Sequence, residues 1–360
     1  MTHKFIASVA LLGLVQADNG CQEEETKRNH DYLLSGKLEV ISSGHKFAEG
    51  MAFDSDDNFY FTDVPAGKLF KVDQDGKKTL FDGNTGKTNG IAMGPDGKLY
   101  GCAGGAMAIH QWDLKTGKKV AITKGVFSND IAITKQGRIY FTDPKTSAVW
   151  TVSPAPQHNL TKAVQLEWKP NGIGLHPNED ALMVAEFFAD TVHRFPIEKG
   201  GSLGQSSPYF QIPVPKEGKD TGKGYLDGMV VLPTNKLIIG TVMGIQFSDN
   251  IEATTEWGII IPPFDDRPRC NYVRLSPDRK WLYAASKMTW CASALRKSAL
   301  SLHKKKNQDQ QERIENNGSK LSPTDTSLSA HRLRSKCNCN SLPRKIYLVT
   351  QSHPLTRFTS

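Results

Sequence analysis

A short pattern that recurs six times constrains the fold of this chain more than any other feature. Each copy begins with a polar residue and continues into a short, mostly apolar stretch. The polar residues are Glu49, Asn89, Asn129, Asn171, Asp227 and Asn271, and the distances between them are 40, 40, 42, 56 and 44 residues. A recurrence at about 20 to 50 residues is typical of repeat architectures. We therefore expect one supersecondary unit repeated around a common core.

The residues inside each unit predict β-structure. The first apolar stretch leads into a turn, such as Pro95-Asp96-Gly97, and a second apolar stretch follows it, which is typical of a β-hairpin. Third stretches rich in β-forming residues follow at Lys68–Val72, Ala108–Trp112, Ala148–Val152 and Thr191–Phe195. Three to four short strands in a unit of about 40 residues are typical of propeller blades. The sequence predicts an all-β fold, a six-bladed β-propeller over residues 37–290.

The polar residues of the repeat point to one shared site. In a propeller the first strand of each blade lines the central channel, so all six residues are expected at one mouth of it. Asn or Asp before Gly also forms turns between blades, and that explanation suits Asn89 and Asn271. It does not account for Glu49, a poor turn residue, beside Asp227 and the amides. Carboxylate and amide oxygens suit Ca²⁺, with Mg²⁺, Mn²⁺ or Zn²⁺ binding by exchange.

Four of these copies resemble a known family. The segments that carry the resemblance are Ala48–Met51, Phe127–Asp130, Lys169–Gly172 and Leu226–Met229, together with the blade phrases at residues 94–100 and 139–144. In this order they are similar to the senescence-marker-protein (regucalcin)/gluconolactonase/luciferin-regenerating-enzyme family of calcium-dependent six-bladed propellers. The resemblance implies metal ligands at Glu49, Asn129, Asn171 and Asp227. It also implies a catalytic role for Asp227, and Asn89 and Asp130 are expected beside the same mouth as substrate contacts.

The same resemblance implies a hydrolase that opens sugar or aliphatic lactones. Asp227 would act either as general base or as the nucleophile, and the sequence does not separate these routes. Two alternatives stay open: a phosphotriesterase acting on organophosphates with the same ligands, and a non-catalytic propeller that binds a partner. The expected partner is a small-molecule lactone, and the oligomeric state and the preferred lactone are not indicated.

Strand-end acidic residues are given a structural interpretation. Asp63, Asp143 and Glu186 each follow a second apolar stretch. Side chains of this kind accept backbone N–H groups at strand ends and turns. We therefore expect no direct part in catalysis for them.

The two ends of the chain differ from its centre. Residues 1–17 have the charged start, apolar core and small residues of a cleavable signal peptide, which predicts a secreted or periplasmic protein, and residues 18–36 are expected to form a linker. Residues 291–360 contain 13 Lys and Arg against 4 Asp and Glu, a net charge of +9, whereas the whole chain carries +8. The composition of this tail predicts disorder. Neither nucleic-acid binding nor a membrane span is expected, because no aromatic residues interleave with its basic runs and the leader is too short.

The sequence does not show which residues complete blade six. Its first hairpin is visible between residues 272 and 285, but no outer strands can be recognised after Trp290. Residues 37–41 offer one strand that would close the ring from the other end of the chain. Unless further strands are supplied, the ring is expected to be open or weakly closed.

Overall fold

The protein is described by a computed structural model over residues 33–248, 257–260 and 269–295. Within these ranges the chain forms six antiparallel sheets of four strands each. The expected signal peptide, most of the expected linker and the basic tail from residue 296 onward lie outside the described residues. The predictions made for those segments stay predictions.

Each sheet is one blade, and four consecutive strands form each of the first five blades. Blade one consists of β2 (Ala48–Phe53), β3 (Phe59–Asp63), β4 (Lys68–Val72) and β5 (Lys78–Asp82). Blade two consists of β6 (Thr88–Met93), β7 (Leu99–Ala103), β8 (Ala108–Trp112) and β9 (Lys119–Ala121), with a 3₁₀ turn at Gly104–Ala106. Blade three consists of β10 (Ile131–Ile133), β11 (Ile139–Asp143), β12 (Ala148–Val152) and β13 (Leu160–Gln165). Blade four consists of β14 (Pro170–Leu175), β15 (Ala181–Glu186), β16 (Thr191–Pro196) and β17 (Ser207–Gln211). Blade five consists of β18 (Met229–Val231), β19 (Leu237–Thr241), β20 (Gly244–Ser248) and β21 (Trp257–Ile260).

Blade six is built from both ends of the described chain. Its strands are β22 (Tyr272–Leu275), β23 (Trp281–Ser286), β24 (Thr289–Ala294) and, from the N-terminal side, β1 (Glu39–Ser42). The outermost pair is in register with Glu39 opposite Ala292 and Val40 opposite Cys291. Leu34 and Leu295 extend this pairing by one further bridge. Blade six is therefore complete, and its fourth strand comes from the segment that the sequence offered for closure.

The first strands of the blades form a ring. Each of β2, β6, β10, β14, β18 and β22 lies next to the first strand of the following blade, and β22 returns to β2. This arrangement confirms the predicted six-bladed β-propeller. Because the ring is closed by pairing within blade six, the sheet has no exposed break at the junction of the two chain ends.

Packing between neighbouring blades supplies the core. Within the described part of the chain, six buried apolar clusters lie between successive blades, one for each contact between two blades. Between blades one and two, for example, Tyr60 and Leu69 pack against Ile91, Leu99 and Trp112. Both faces of a second strand are covered in this way, which is why β3 and β11 are buried along their whole length. Their nearly continuous apolar sequence follows from this two-sided burial.

The longest spacing in the repeat has a structural explanation. The 56 residues between Asn171 and Asp227 include an extended connection from Gln211, the end of β17, to Met229, the start of β18. Since first strands start at the end of the ring that carries the polar residues, this connection lies at that end.

Among the described residues there is no helix long and apolar enough to cross a membrane.

Candidate active site

One end of the ring collects the polar residues of the repeat, and we call this end the mouth. Glu49, Asn89 and Asn171 are the second residues of β2, β6 and β14, and Asn129 and Asp227 come two residues before β10 and β18. Each therefore stands where a first strand begins. The observed topology therefore places these residues at one end of the channel.

Glycine after the polar residue lets the first strands approach one another closely. A Cβ atom added at Gly172 would lie 1.9 Å from the backbone oxygen of Asp227 in the next blade, and one at Gly50 would lie 2.3 Å from that of Asn89. Threonines of the second strands add hydrogen bonds of the same kind: Thr62 Oγ1 donates to the Asn89 oxygen at 2.9 Å. The polar residue and the glycine of the repeat thus serve one purpose, since the glycine brings neighbouring polar side chains within reach.

Three asparagine side chains form a continuous chain of hydrogen bonds across blades two, three and four. Asn89 Nδ2 donates to Asn129 Oδ1 at 2.8 Å, and Asn129 Nδ2 donates to Asn171 Oδ1. We call Asn89, Asn129 and Asn171 the amide row. An amide oxygen has two lone pairs, so the oxygens of Asn129 and Asn171 each keep one for another ligand. The amide row is thus an uncharged set of oxygen acceptors whose positions are fixed by hydrogen bonds.

Three carboxylates, from blades one, three and five, lie at the same end of the ring as the amide row. Glu49, Asp130 and Asp227 are each about nineteen-twentieths buried, with 4–5% of their surface exposed. Burial, then the charges of Asp227 and Asp130, raise the pKa of Glu49 well above its usual range. Burial, then the charge of Asp227, do the same to the pKa of Asp130. The three carboxyl groups therefore lie within electrostatic reach of one another, although burial is the larger cause of both shifts.

Cations oppose the rise in pKa at all three acids: Arg269 acts on Glu49 and Asp227, and Arg274 acts on Asp130. Burial raises the pKa of Asp227 to about 7, and Arg269 opposes that rise. The guanidinium Nη2 of Arg269 lies 3.8 Å from Asp227 Oδ2. We call Glu49, Asp130, Asp227 and Arg269 the charged cluster. A carboxylate with a pKa near 7 is suited to proton transfer at neutral pH.

The donor set of the mouth fits a hard divalent cation. Among the described residues, no group of three or more His, Cys, Asp or Glu side chains is placed to hold a metal, so a metal site here requires the amide oxygens. Glu49 and Asp227 with Asn129 and Asn171 supply the all-oxygen mixture of charged and neutral ligands that calcium accepts. Three buried carboxylates face two guanidinium groups, those of Arg269 and Arg274, so their ionised forms leave excess negative charge, which a cation would neutralise.

Asn271, the sixth polar residue of the repeat, has a structural part. It is buried, its Nδ2 donates to the Ala48 oxygen at 2.7 Å, and its Oδ1 accepts from the Lys287 N–H at 2.7 Å. It also donates a hydrogen bond that lowers the pKa of Glu49. Asn271 thus ties blade six to blade one and holds Glu49 in place, in line with the turn-like explanation offered for it.

The strand-end acids behave as expected in two of three cases. Asp63 accepts the backbone N–H groups of Lys46 and Phe47 at 3.0 and 3.1 Å, and Asp143 accepts that of Lys145 at 2.9 Å. These contacts confirm the structural interpretation. Glu186 instead pairs with His193, whose Nε2 lies 3.1 Å from Glu186 Oε2. Its partner is a side chain rather than the backbone.

A second regularity of the repeat was missed by the sequence analysis. Two residues before each polar residue the chain carries an aromatic or a cationic side chain, and the two kinds alternate around the ring: Phe47, Lys87, Phe127, Lys169, Tyr225 and Arg269. The lysines are exposed and the other four are partly buried. The alternation was available in the sequence, but it becomes meaningful only once these positions are known to surround one mouth.

The fold and the oxygen-lined mouth define a class: six-bladed propellers with a polar site at one end of the channel. A profile described as the SMP-30/Gluconolactonase/LRE-like region matches residues 47–287. The chain belongs to this family.

Curated relatives are similar over part of their length. Lactonase drp35 of Staphylococcus haemolyticus is 29% identical over 183 residues, which cover 45% of this chain and 56% of that protein. A gluconolactonase of Zymomonas mobilis is 27% identical over 187 residues, which cover 42% of this chain and 52% of that protein. The chain thus spans about half the length of the curated relatives it matches.

Solved structures share the fold at low identity. A gluconolactonase from Xanthomonas campestris matches with a TM-score of 0.63 and 19% identity, covering 73% of this chain and 91% of that one. A calcium-binding regucalcin from Agrobacterium tumefaciens matches with a TM-score of 0.58 and 15% identity, covering 73% and 94%. At such identities the likeness establishes the propeller and its blade number.

Proposed function

We propose that this protein is a metal-dependent hydrolase that opens the ring of sugar or aliphatic lactones. The observation that carries the proposal is the presence of three buried, electrostatically interacting carboxylates and a row of three hydrogen-bonded amides at one mouth of the propeller. Burying ionisable groups without full compensation is costly, and such arrangements concentrate at functional sites. The names of the relatives, lactonase and gluconolactonase, favour a lactone as the substrate class.

In this proposal Glu49, Asn129, Asn171 and Asp227 hold a calcium ion. When bound, the ion polarises the lactone carbonyl and stabilises the negative charge that develops on its oxygen. Glu49 is oriented by Asn271, and Asn129 and Asn171 are oriented by their places in the amide row. The ligands are thereby fixed before a substrate arrives, which lowers the reorganisation needed during the reaction.

Asp227 carries the proton in the base-catalysed route. A water oxygen bonds to the carbonyl carbon while Asp227 accepts its proton, and the ring C–O bond then breaks. The ring oxygen leaves as a hydroxyl group after taking that proton from Asp227, and the product is a hydroxy acid. In the alternative route an Asp227 oxygen attacks the carbonyl carbon, and water hydrolyses the resulting acyl-enzyme anhydride. Arg269 supports both routes because it favours the ionised form of Asp227.

Asn89 and Asp130 are proposed as substrate contacts. Asn89 is at the open end of the amide row: its Nδ2 binds Asn129, and its carbonyl oxygen can accept a hydrogen bond from a sugar hydroxyl. Asp130 is buried against Gly90, where an added Cβ would lie 2.1 Å from Asp130 Oδ1. A carboxyl group with a strongly raised pKa in this position can donate a hydrogen bond to a substrate oxygen.

The test is hydrolysis of γ- and δ-lactones by protein treated with a chelator and then resupplied with Ca²⁺. Two variants accompany the wild type: Asp227→Asn, and the matched control Asp96→Asn in the turn between β6 and β7, at the opposite end of the blade. We expect turnover to vanish with the chelator, to return with Ca²⁺, and to fall by about 10³-fold in Asp227→Asn. Asp96→Asn should retain it.

Other outcomes separate the alternatives. Calcium-dependent hydrolysis of a phosphotriester without lactone turnover would favour the phosphotriesterase. Folded protein that binds no metal and hydrolyses neither substrate would favour a binding propeller. Lactone turnover that both Asp227→Asn and the chelator leave unchanged would contradict the proposed site.

A further inference from the structure

Arg269 is placed to act on more than its neighbour Asp227. It stands two residues before the polar residue of blade six, and its side chain is 37% exposed at the mouth. The 3.8 Å between Arg269 Nη2 and Asp227 Oδ2 is too long for a hydrogen bond. A guanidinium built to pair with a carboxylate makes two parallel hydrogen bonds of about 2.7–2.9 Å. The contact with Asp227 is electrostatic and does not engage the donor fork.

Aromatic rings hold the guanidinium in position. Its central carbon lies 5.1 Å from the centre of the Tyr225 ring and 5.8 Å from that of Phe187. The two rings contact each other at 5.5 Å, and Phe188 packs on both, at 4.7 and 5.7 Å. These side chains come from blade four and from the connection before blade five. A guanidinium stacked on aromatic rings has few orientations open to it, so its donors are aimed before a ligand arrives.

At least one of those donors lacks a protein partner. Arg269 Nε is buried and makes no hydrogen bond within the described residues. A buried donor without a partner is uncommon and calls for an explanation, and a ligand at the mouth would provide one. Nε and one Nη atom together form the fork that fits a carboxylate.

The surroundings of Arg269 favour an anion. The alternation around the mouth contributes Lys87 and Lys169 at positions equivalent to Arg269 in blades two and four, and both are exposed. In blade three Lys145 Nζ lies 4.3 Å from the centre of the Phe127 ring. Cations therefore border the mouth on several sides, above a site whose own carboxylates suit a metal rather than an anionic ligand. A negatively charged group that enters from above meets these cations first.

We propose that Arg269 binds a carboxylate carried by the substrate, so that the preferred substrates are acidic lactones, such as those of aldaric acids, rather than neutral ones. The inference rests on the proposed lactonase function and names the substrate class of that same site. The bound carboxylate takes no part in the reaction and emerges unchanged, and the ring-opened product is a diacid. Arg269 is thus a specificity-determining residue.

The test compares a neutral aldono-γ-lactone with the aldaro-γ-lactone of the same configuration, which carries a carboxylate in place of the terminal hydroxymethyl group. Wild type, Arg269→Gln and Arg269→Lys are assayed, with Arg194→Gln as control because Arg194 pairs with Asp180 at the opposite end of blade four. Wild type should prefer the acidic lactone in kcat/KM. Arg269→Gln should lose about 10- to 100-fold more kcat/KM on the acidic lactone than on the neutral one, mainly through KM, because its effect on Asp227 reduces the hydrolysis of both lactones equally. The loss of kcat/KM on the acidic lactone in Arg269→Lys should be smaller than that in Arg269→Gln.

Several results would overturn the inference. An equal loss of kcat/KM on both lactones would mean that Arg269 acts only through Asp227. A wild type without preference for the acidic lactone would contradict the proposed substrate class. A phosphorylated lactone preferred over both would make phosphate, not carboxylate, the recognised group. If wild type hydrolyses none of them, the lactonase proposal fails separately. Calorimetric binding of the ring-opened diacid and monoacid then decides the matter, since equal affinities would contradict carboxylate recognition by Arg269.

Discussion

The amide row and the charged cluster are built from the same repeat, yet they have opposite electrostatic properties. In the amide row each side-chain NH₂ group but the last has a neighbouring amide oxygen as its acceptor, and no net charge is buried. In the charged cluster three buried carboxylates lie beside the guanidinium of Arg269, with Arg274 acting on Asp130, and the pKa values of Glu49 and Asp130 are raised well above normal. The difference indicates that the amide row is satisfied by its own hydrogen bonds, whereas the charged cluster buries ionisable groups whose charged forms a bound cation would stabilise.

The variant with the largest expected effect disturbs both regions at once. An alanine at Gly172 would place its Cβ 1.9 Å from the Asp227 oxygen and would force β14 and β18 apart. We expect a loss of at least about 3 kcal/mol in unfolding free energy, or about 6 °C or more in the unfolding temperature, together with most of the activity. Thermal unfolding and lactone assays would measure both.

Gly174→Ala is the matched control, since it lies in the same strand. A Cβ there would meet Met229 Cγ at 3.4 Å, an ordinary contact. Its unfolding temperature should stay close to that of wild type. Equal behaviour of the two variants would contradict the close approach of the first strands as the reason for glycine in the repeat.

A second variant, Glu49→Gln, tests whether the charged cluster binds a cation. Calcium affinity should fall by at least about 100-fold, as it does when groups around a bound metal are removed. Because the pKa of Glu49 is raised by folding, its ionised form costs stability, and that cost grows as the pH rises through the folded-state pKa. Metal-free Glu49→Gln at pH 8 should therefore be at least as stable as metal-free wild type.

Thermal unfolding with and without Ca²⁺ would measure both parts of this prediction. Stabilisation of wild type but not of the variant by Ca²⁺ would support cation binding by the charged cluster. A variant that is less stable than wild type without metal, and equally stabilised by Ca²⁺, would contradict it.

A third variant, Asn129→Ala, breaks the amide row at its centre. It leaves Asn89 Nδ2 without its acceptor and Asn171 Oδ1 without its donor, at a cost of about 1–3 kcal/mol in unfolding free energy. Asn159→Ala, in an exposed turn of the same blade, should change the unfolding free energy by less than about 0.5 kcal/mol. Denaturant unfolding of the two variants would show whether the amide row stabilises the fold as well as orienting ligands, and equal losses would indicate that it does not.

The smallest expected effect concerns the pH dependence of stability and a histidine outside the charged cluster. His45 is buried at the start of blade one, and its Nε2 lies 2.8 Å from Ser42 Oγ in β1. Burial and then the charge of Lys78 lower the pKa of His45, while Asp63 opposes them. Since the folded-state pKa is below the unfolded value of about 6.5, this histidine stabilises the fold above that pH, and the stabilisation is lost as the pH falls.

His45→Gln tests that sign. The unfolding temperature of wild type should exceed that of the variant at pH 8, and the difference should shrink at pH 5. A difference that widens at low pH would mean that protonated His45 is favoured by Asp63, and the assignment would be wrong.

The blades could be predicted from the sequence because their signals are local. The third stretches at Lys68–Val72, Ala108–Trp112 and Ala148–Val152 coincide with β4, β8 and β12. Each is a run of β-forming residues between turns. By contrast, β24 reads Thr-Trp-Cys-Ala-Ser-Ala and extends to Ala294, past the boundary predicted at residue 290. Its small residues carry little strand signal, and its pairing with β1 joins positions about 250 residues apart, which no local pattern reveals.

The candidate site could be predicted only in its repeated part. Glu49, Asn129, Asn171 and Asp227 stand out because the repeat marks them, and the structure brings them to one mouth. Arg269 belongs to the alternation of aromatic and cationic residues, yet the sequence does not show that its side chain lies beside Asp227. Its aromatic neighbours, Phe187 and Tyr225, come from other parts of the chain, so the grouping appears only in three dimensions.

The central claim is that the charged cluster and the amide row together hold a cation. The most direct measurement is the anomalous scattering of crystals of the protein grown with Ca²⁺ or soaked in Mn²⁺. The account predicts one strong peak about 2.1–2.6 Å from side-chain oxygens of Glu49, Asn129, Asn171 and Asp227. A mouth without a peak, in crystals that contain the ion at millimolar concentration, would contradict it, as would a peak bound by other residues.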